Sequence, residues 1–458
     1  MIILANDSNI RSMRSFLMRL ALKKNSGILT KLEEFEKTQF YSEAELEYYR
    51  EEKLRSIVTH AYNTVPFYKD LFDKNKIRPK DIRHVSDLKK MPVITKQIVR
   101  DNYKRMLSDS CAGRIRVRQT GGSTGTPLTI SYCKNAFFTE VALQYRFLKW
   151  LNYEWGDEIL MFWGEQVFES AFSKLKSKVG NYLYNRKFVS TFKVDDFSLA
   201  AMINNLERRP PKILRGYASS LYLLALKCLE LDFKKRLNAV TTTAEKLFDF
   251  QRSEIEKAFG PNIFNQYGCD ETNSLAHECE QHNGLHVASE HVIIELLGEN
   301  GSETETGHVV LTNLSNYAMP LIRYKNEDVA RWSKKNCTCK RNSPLLEEIE
   351  GRVSNFVQGP NGRKVHAEFF THIFRDMGLF EKCEIKEFRV VQKKVDRLSI
   401  EFCTPREINN KDKNTINEKV NEYLGNTEIE IIRVEQIPLT RRGKKLFVLS
   451  LLNRDMWN

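Results

Sequence analysis

Leu54, Ile57, Val58 and Ala61 fall at i, i+3, i+4 and i+7, which puts all four on one face of a helix ending near Asn63, where the VPFY segment and Pro66 stop it. Phe138, Val141, Ala142 and Tyr145 repeat that spacing and predict another helix. Between them, MPVITKQIVRDNY predicts a turn into a short helix and LTISY a strand. From Ser198 to Gly260, helical patterns alternate with the extended pieces KILRGY and NAVTTT, each leading into a helix. This alternation favours a layered α/β body with a substantially parallel sheet. HVIIEL and GHVVLTNL are dense in β-branched residues and predict strands of a further sheet.

After Gly351 the pattern changes. EFRVVQ and RLSIEF predict two strands, with Leu398, Ile400 and Phe402 alternating in the second. Ile416, Val420, Tyr423 and Leu424 line one side of a helix closed by Gly425, and EIEIIRVEQI supplies a last strand. The expected fold class is α/β, with a large layered domain over residues 1–350 and a small α+β domain over 351–458. The boundary is expected at Gly351–Asn355. No repeat or low-complexity tract interrupts the chain.

At 458 residues the chain exceeds what one hydrophobic core serves, so the length supports the division. With 41% hydrophobic and 29% charged residues, the composition excludes a largely disordered protein. The 72 basic residues against 59 acidic leave +13, which suits an anionic partner such as a nucleotide or coenzyme. The basic runs Lys74–Lys80 and Lys334–Arg341 are short and interrupted, so they predict a solvated surface and not a nucleic-acid face. The apolar opening breaks at Asn6 and Asp7, and Arg14 and Arg19 interrupt the next apolar stretch, so neither a secretory signal nor a spanning helix is expected. Met13–Lys24 predicts a basic amphipathic helix, packed against the body or touching a membrane. An odd number of cysteines, nine, points to a reducing compartment, most simply the cytoplasm.

Two groups of residues carry candidate chemistry. RQTGGSTGTPLTISY concentrates glycines and hydroxyls into a bend able to surround phosphate with N–H and O–H donors, although no Lys-Ser or Lys-Thr closes it as in the common nucleotide loop. Cys279 and His286 flank EQHNGL, and a hairpin turn over Gln281–Gly284 would set them opposite each other. With Cys337 and Cys339 they make a Cys₃His set suited to structural Zn²⁺, with His277 and His282 as competing ligands and Cys269 as a further one. The alternative is that these thiols are small buried hydrophobes.

TGGSTGTP (Thr120–Pro127), YGCDE (Tyr267–Glu271), PLIRYKNED (Pro320–Asp328), GRVSN (Gly351–Asn355) and IPLTRRGKK (Ile437–Lys445) stand in the order of the core motifs of adenylate-forming ligases. NTVPFYKDLF, MPVITKQIVRDNY and GYASSLYLLA resemble the phenylacetate–CoA ligase and capsular-polysaccharide (CapK-like) branch of that superfamily. The resemblance implies ATP- and Mg²⁺-dependent activation of a carboxylic acid as an acyl-adenylate, followed by transfer to CoA. An amine or hydroxyl, such as a sugar in surface-polysaccharide synthesis, is the alternative acceptor, and a nucleotide-binding relative without turnover is a third reading.

By the same resemblance Thr120, Gly121, Gly122, Ser123, Thr124 and Gly125 would hold the β- and γ-phosphates, and Tyr267 and Gly268 would lie beside adenine and the acyl site. Glu271 would hold Mg²⁺, Asp328 the ribose hydroxyls, Arg352 the ribose or phosphate, and Lys444 the α-phosphate and the carboxylate. Taken alone, Asp328 is equally a surface acid paired with Arg323 or Arg331. Glu327 stands where the family has glycine and Asn355 where it has aspartate, which bears on the second half-reaction. Homodimers are common in the family, and the small domain rotates between two arrangements during turnover.

Overall fold

The computed structural model describes residues 7–23, 26–111, 115–119, 128–163, 171–190, 196–247, 249–298, 300–349, 356–366, 368–385, 387–437 and 448–450. They divide into two compact units. One draws on residues up to 119, 128–157 and 264–349, and the other on 158–263 and the chain from 356 onward.

In the first unit the helix Glu43–Thr64 starts on a capping box: Ser42 Oγ accepts the Glu45 N–H at 3.3 Å, and the Glu45 carboxylate accepts the Ser42 N–H at 2.8 Å. Its four periodic residues, Leu54, Ile57, Val58 and Ala61, are wholly buried. Pro66 does more than stop this helix. It occupies the first turn of the next, Pro66–Lys74, where a missing N–H costs nothing. That second helix buries Tyr68, whose hydroxyl donates to the Pro320 carbonyl at 3.0 Å and accepts the Ile322 N–H at 2.9 Å. MPVIT adds one rung beside them, as Ile94 exchanges backbone hydrogen bonds with Arg323 and Lys325 at 2.9 Å each.

The sheet of this unit is antiparallel. Val292–Leu297, Thr306–Asn313, Tyr324–Trp332, Leu345–Ile349, Leu285–Val287, Asn273–Glu278 and Ile263–Cys269 hydrogen-bond in that order. The parallel sheet expected from the alternation over Ser198–Gly260 is found in the other unit. There Arg186–Ser190, Ile159–Trp163, Ile213–Tyr217 and Ala239–Thr243 pair in parallel, with Ala171–Leu183, Asp196–Arg208 and Ala218–Glu230 as the intervening helices. The difference follows from the connections, since short turns return a strand antiparallel whereas helical crossovers bring it back parallel. Every residue of Ala239–Thr243 is buried, as expected for a strand covered on both faces.

The predicted β-β-α-β segment is present. Glu387–Lys394 and Arg397–Cys403 pair antiparallel with Val390 opposite Ile400, the helix Asn410–Leu424 follows, and Glu428–Val434 joins the second strand in parallel. Gly425 closes the helix at φ +82°, a backbone conformation that side chains resist. Residues from Val357 to Val448 enclose their own core, in which Phe374 packs edge-on against Phe388 and Phe402 at 4.8 and 4.9 Å.

Candidate active site

Tyr324 opens the strand Tyr324–Trp332, so Tyr324, Asn326 and Asp328 alternate onto one face. The Tyr324 hydroxyl donates to Glu271 Oε1 at 2.9 Å, and the Tyr267 hydroxyl donates to Asp328 Oδ2, also at 2.9 Å. Asn326 braces the second contact, its amide reaching the Tyr267 hydroxyl at 2.9 Å and Asp328 Oδ2 at 3.0 Å. Two segments about sixty residues apart are thus fastened by a reciprocal pair of tyrosine–carboxylate hydrogen bonds, which are stronger than neutral ones.

Burial and then the Asp328 charge hold the Tyr267 phenol well above its ordinary pKa, so it remains a donor. Burial, followed by the neighbouring Glu271 carboxylate, likewise keeps the Cys269 thiol protonated, which removes it as a nucleophile. Gly268 has a steric cause: a Cβ there would lie 2.6 Å from the Asn273 carbonyl oxygen, where the strand bulges past its partner.

Glu271 lines a pocket together with Arg118, Tyr132, Asp270, Asn273 and His291, among others. Arg118 hydrogen-bonds Asn273 and pairs with Glu140 at 3.2 Å. Burial raises the Glu140 carboxyl's pKa, and the Arg118 guanidinium works against that rise. His291 Nε2 donates to the Thr272 carbonyl at 2.7 Å, holding the turn that carries Glu271, and its own burial lowers its pKa and keeps the ring neutral. Arg118 lies in Arg116–Gln119, which pairs antiparallel with Thr129–Tyr132, and these strands flank the glycine/hydroxyl segment.

Residues 357–450 match the family model described as the CapK C-terminal domain. Phenylacetate-coenzyme A ligase of Thermus thermophilus is 26% identical over 324 residues, covering 67% of this chain and 70% of that protein. Its Escherichia coli counterpart is 25% identical over 333 residues, covering 68% and 72%. Protein CapK of Staphylococcus aureus is 26% identical over 408 residues, 84% of each chain. Among solved structures, 2-hydroxyisobutyryl-CoA ligase with 2-HIB-AMP and CoA superposes with a TM-score of 0.61 at 17% identity, covering 91% of this chain and 92% of that one. The chain is similar in sequence to the phenylacetate–coenzyme A ligases and to CapK, and it shares the fold of an acyl-CoA ligase.

For a relative of these ligases, the structure brings Tyr267, Gly268, Glu271 and Asp328 into one neighbourhood. Asp328 is not paired with Arg323 or Arg331: Arg323 binds Glu295 at 2.8 Å, and Arg331 binds Glu347 and Glu348 at 3.1 and 2.9 Å. Thr120, Gly121, Gly122, Ser123, Thr124, Gly125, Arg352 and Lys444 lie outside the described residues. Tyr324, Asn326, Arg118 and His291 were not assigned from the sequence. The first two had a legible signal, because period-2 alternation through RYKNED puts them on the face of Asp328.

Cys279, His286, Cys337 and Cys339 do converge, with all four donor atoms within 4.8 Å of one another. Cys279 Sγ lies 3.4 Å from Cys337 Sγ, and Cys339 Sγ 3.2 Å from His286 Nε2. The predicted register is wrong, however. His277, not Cys279, stands opposite His286, and Cys279 reaches the group from the turn beyond the strand Asn273–Glu278. The competing histidines stay out: His277 Nδ1 is 2.6 Å from the Glu278 carbonyl with its ring stacked on Phe147, and His282 faces the Glu278 carboxylate at 3.4 Å. Cys269 pairs with Thr272 at 3.1 Å beside the pocket. Ser343 Oγ lies 3.2 Å from His286 Nδ1, a contact that fixes the orientation of the imidazole whose Nε2 faces Cys339.

Proposed function

We propose that the chain condenses a carboxylic acid with ATP to an acyl-adenylate, releasing pyrophosphate, and transfers the acyl group to coenzyme A. The observation that carries this reading is the reciprocal Tyr324–Glu271 and Tyr267–Asp328 pairing, which holds two carboxylates of the family's motifs in fixed orientation. Asp328, braced by Asn326, has acceptor capacity suited to ribose hydroxyls. Glu271, with Asp270 and Glu140 on the same pocket, offers the hard oxygen donors that Mg²⁺ prefers, and the ion would neutralise phosphate charge there. Thr120–Gly125 would take the β- and γ-phosphates, Arg352 the ribose or α-phosphate, and Lys444 the oxygens that gain charge as the carboxylate attacks. The small domain from residue 351 would bring Lys444 to this site and then turn away for thioester formation.

The test is a panel of carboxylic acids read by ATP–pyrophosphate exchange, with Lys444→Ala alongside. Acid-dependent exchange that the substitution abolishes supports the reading, and exchange that no acid elicits overturns it. The similarity to CapK over 84% of each chain favours a second reading, in which the adenylate is passed to an amine or hydroxyl such as a sugar. Product analysis with CoA and with amino sugars separates the two acceptors. The four convergent donors fit a structural Zn²⁺, closed to substrate, tying the turn after Glu278 to the Cys337–Cys339 loop. Reduced thiols throughout suit a cytoplasmic enzyme.

A further inference from the structure

The helix Asp7–Lys23 is apolar on two opposite sides. Met18 and Leu22 are buried on one. On the other, Met13, Phe16, Leu17 and Leu20 are 54, 62, 36 and 43% exposed, and they recur at i, i+3, i+4 and i+7, a continuous stripe two turns long. Arg14 lies on one flank of this stripe, with Arg19 and Lys23 on the other. From Ser8 to Leu32 the sequence has no acidic residue, while Arg11, Arg14, Arg19, Lys23, Lys24 and Lys31 are basic. No helix among the described residues is long and apolar enough to cross a membrane.

We propose that this helix docks the protein on an anionic lipid surface, with Met13, Phe16, Leu17 and Leu20 entering the headgroup–acyl boundary and the flanking cations contacting lipid phosphates. Charge decides the occupant. A second copy presenting the same face would set the Arg14, Arg19 and Lys23 flanks against like charges, whereas a negatively charged bilayer complements them. Apolar insertion plus cation–headgroup attraction is the combination by which interfacial helices bind. The helix is held to the body through Met18 and Leu22, so docking leaves the fold intact.

The full-length protein is mixed with vesicles of phosphatidylcholine alone, or of phosphatidylcholine and phosphatidylglycerol in equal parts, and the bound fraction is read by flotation. Binding is expected only to the anionic vesicles, and it should fall with added salt. Phe16→Ser with Leu20→Ser, and separately Arg19→Gln with Lys23→Gln, should each weaken it roughly tenfold or more at an unchanged melting temperature. Equal binding to neutral vesicles, no binding to either, or both double variants binding like the parent overturns the proposal. So does light scattering that shows a dimer broken by Phe16→Ser with Leu20→Ser, since the stripe would then belong to a second copy.

Discussion

The Tyr324 hydroxyl and the Glu271 carboxylate lie 2.9 Å apart, joining the first residue of one strand to the turn that follows another. A hydrogen bond to a charged acceptor contributes about 1.5–3 kcal/mol, and each 1.4 kcal/mol is about tenfold in rate. Tyr324→Phe should therefore lower kcat/KM for acid-dependent pyrophosphate exchange by roughly 10- to 100-fold. The Mg²⁺ requirement should rise with it, as a titration of the metal at fixed ATP will read.

Asp328 accepts hydrogen bonds from the Tyr267 hydroxyl and the Asn326 amide. Asp328→Asn keeps the size of the side chain and removes its charge and half of its acceptor capacity. The expected outcome is an ATP KM raised about tenfold, with the KM for the carboxylic acid little changed. Equal rises in both would point to a general loss of the pocket's shape.

Arg323 and Glu295 form a buried pair, and the guanidinium also donates to the Met91 carbonyl at 2.5 Å. Arg323→Met alone strands a buried carboxylate and should cost about 3–5 kcal/mol, whereas Arg323→Met with Glu295→Leu should recover much of that loss. Thermal melting of the two variants checks the order.

How much of this was legible beforehand varies by element. Helices such as Glu43–Thr64 and the strand Arg397–Cys403 follow from apolar periods alone, because burial of one face is a local property of the sequence. The antiparallel sheet around Tyr324 was not, since strand pairing depends on contacts between residues far apart in the chain. The same limit displaced the Cys279–His286 register while leaving the donor set right: hairpin spacing fixes which residues are near, and the turn fixes which face each takes. Tyr267, Glu271 and Asp328 were readable from motifs, but their bonding partners required Tyr324 and Asn326 to be seen in space.

His372 lies in the helix Glu368–Asp376, where burial and then the Arg375 charge lower its pKa to about 4. A histidine neutral in the fold but free to protonate when unfolded leaves stability unaffected above its unfolded pKa of about 6.5 and lowers it as pH falls toward 4. Melting temperatures of the parent should drop across that window more steeply than those of His372→Gln.

The Cys₃His group predicts one zinc per chain by elemental analysis. Cys279→Ser should lose it, and prolonged chelation should lower the melting temperature of the parent but not of this variant. Retention of zinc by Cys279→Ser would exclude the proposed ligand set.

Tyr68 closes against Pro320 across 252 positions of chain. At about 5–20 residues per second, the ribosome delivers the Tyr68 helix roughly 13–50 s before the carbonyl it binds. Throughout that interval the apolar side of this helix has no strand to cover it, so this part of the core closes only after most of the chain has been made, and crowding or a slow codon run between the two would lengthen the wait.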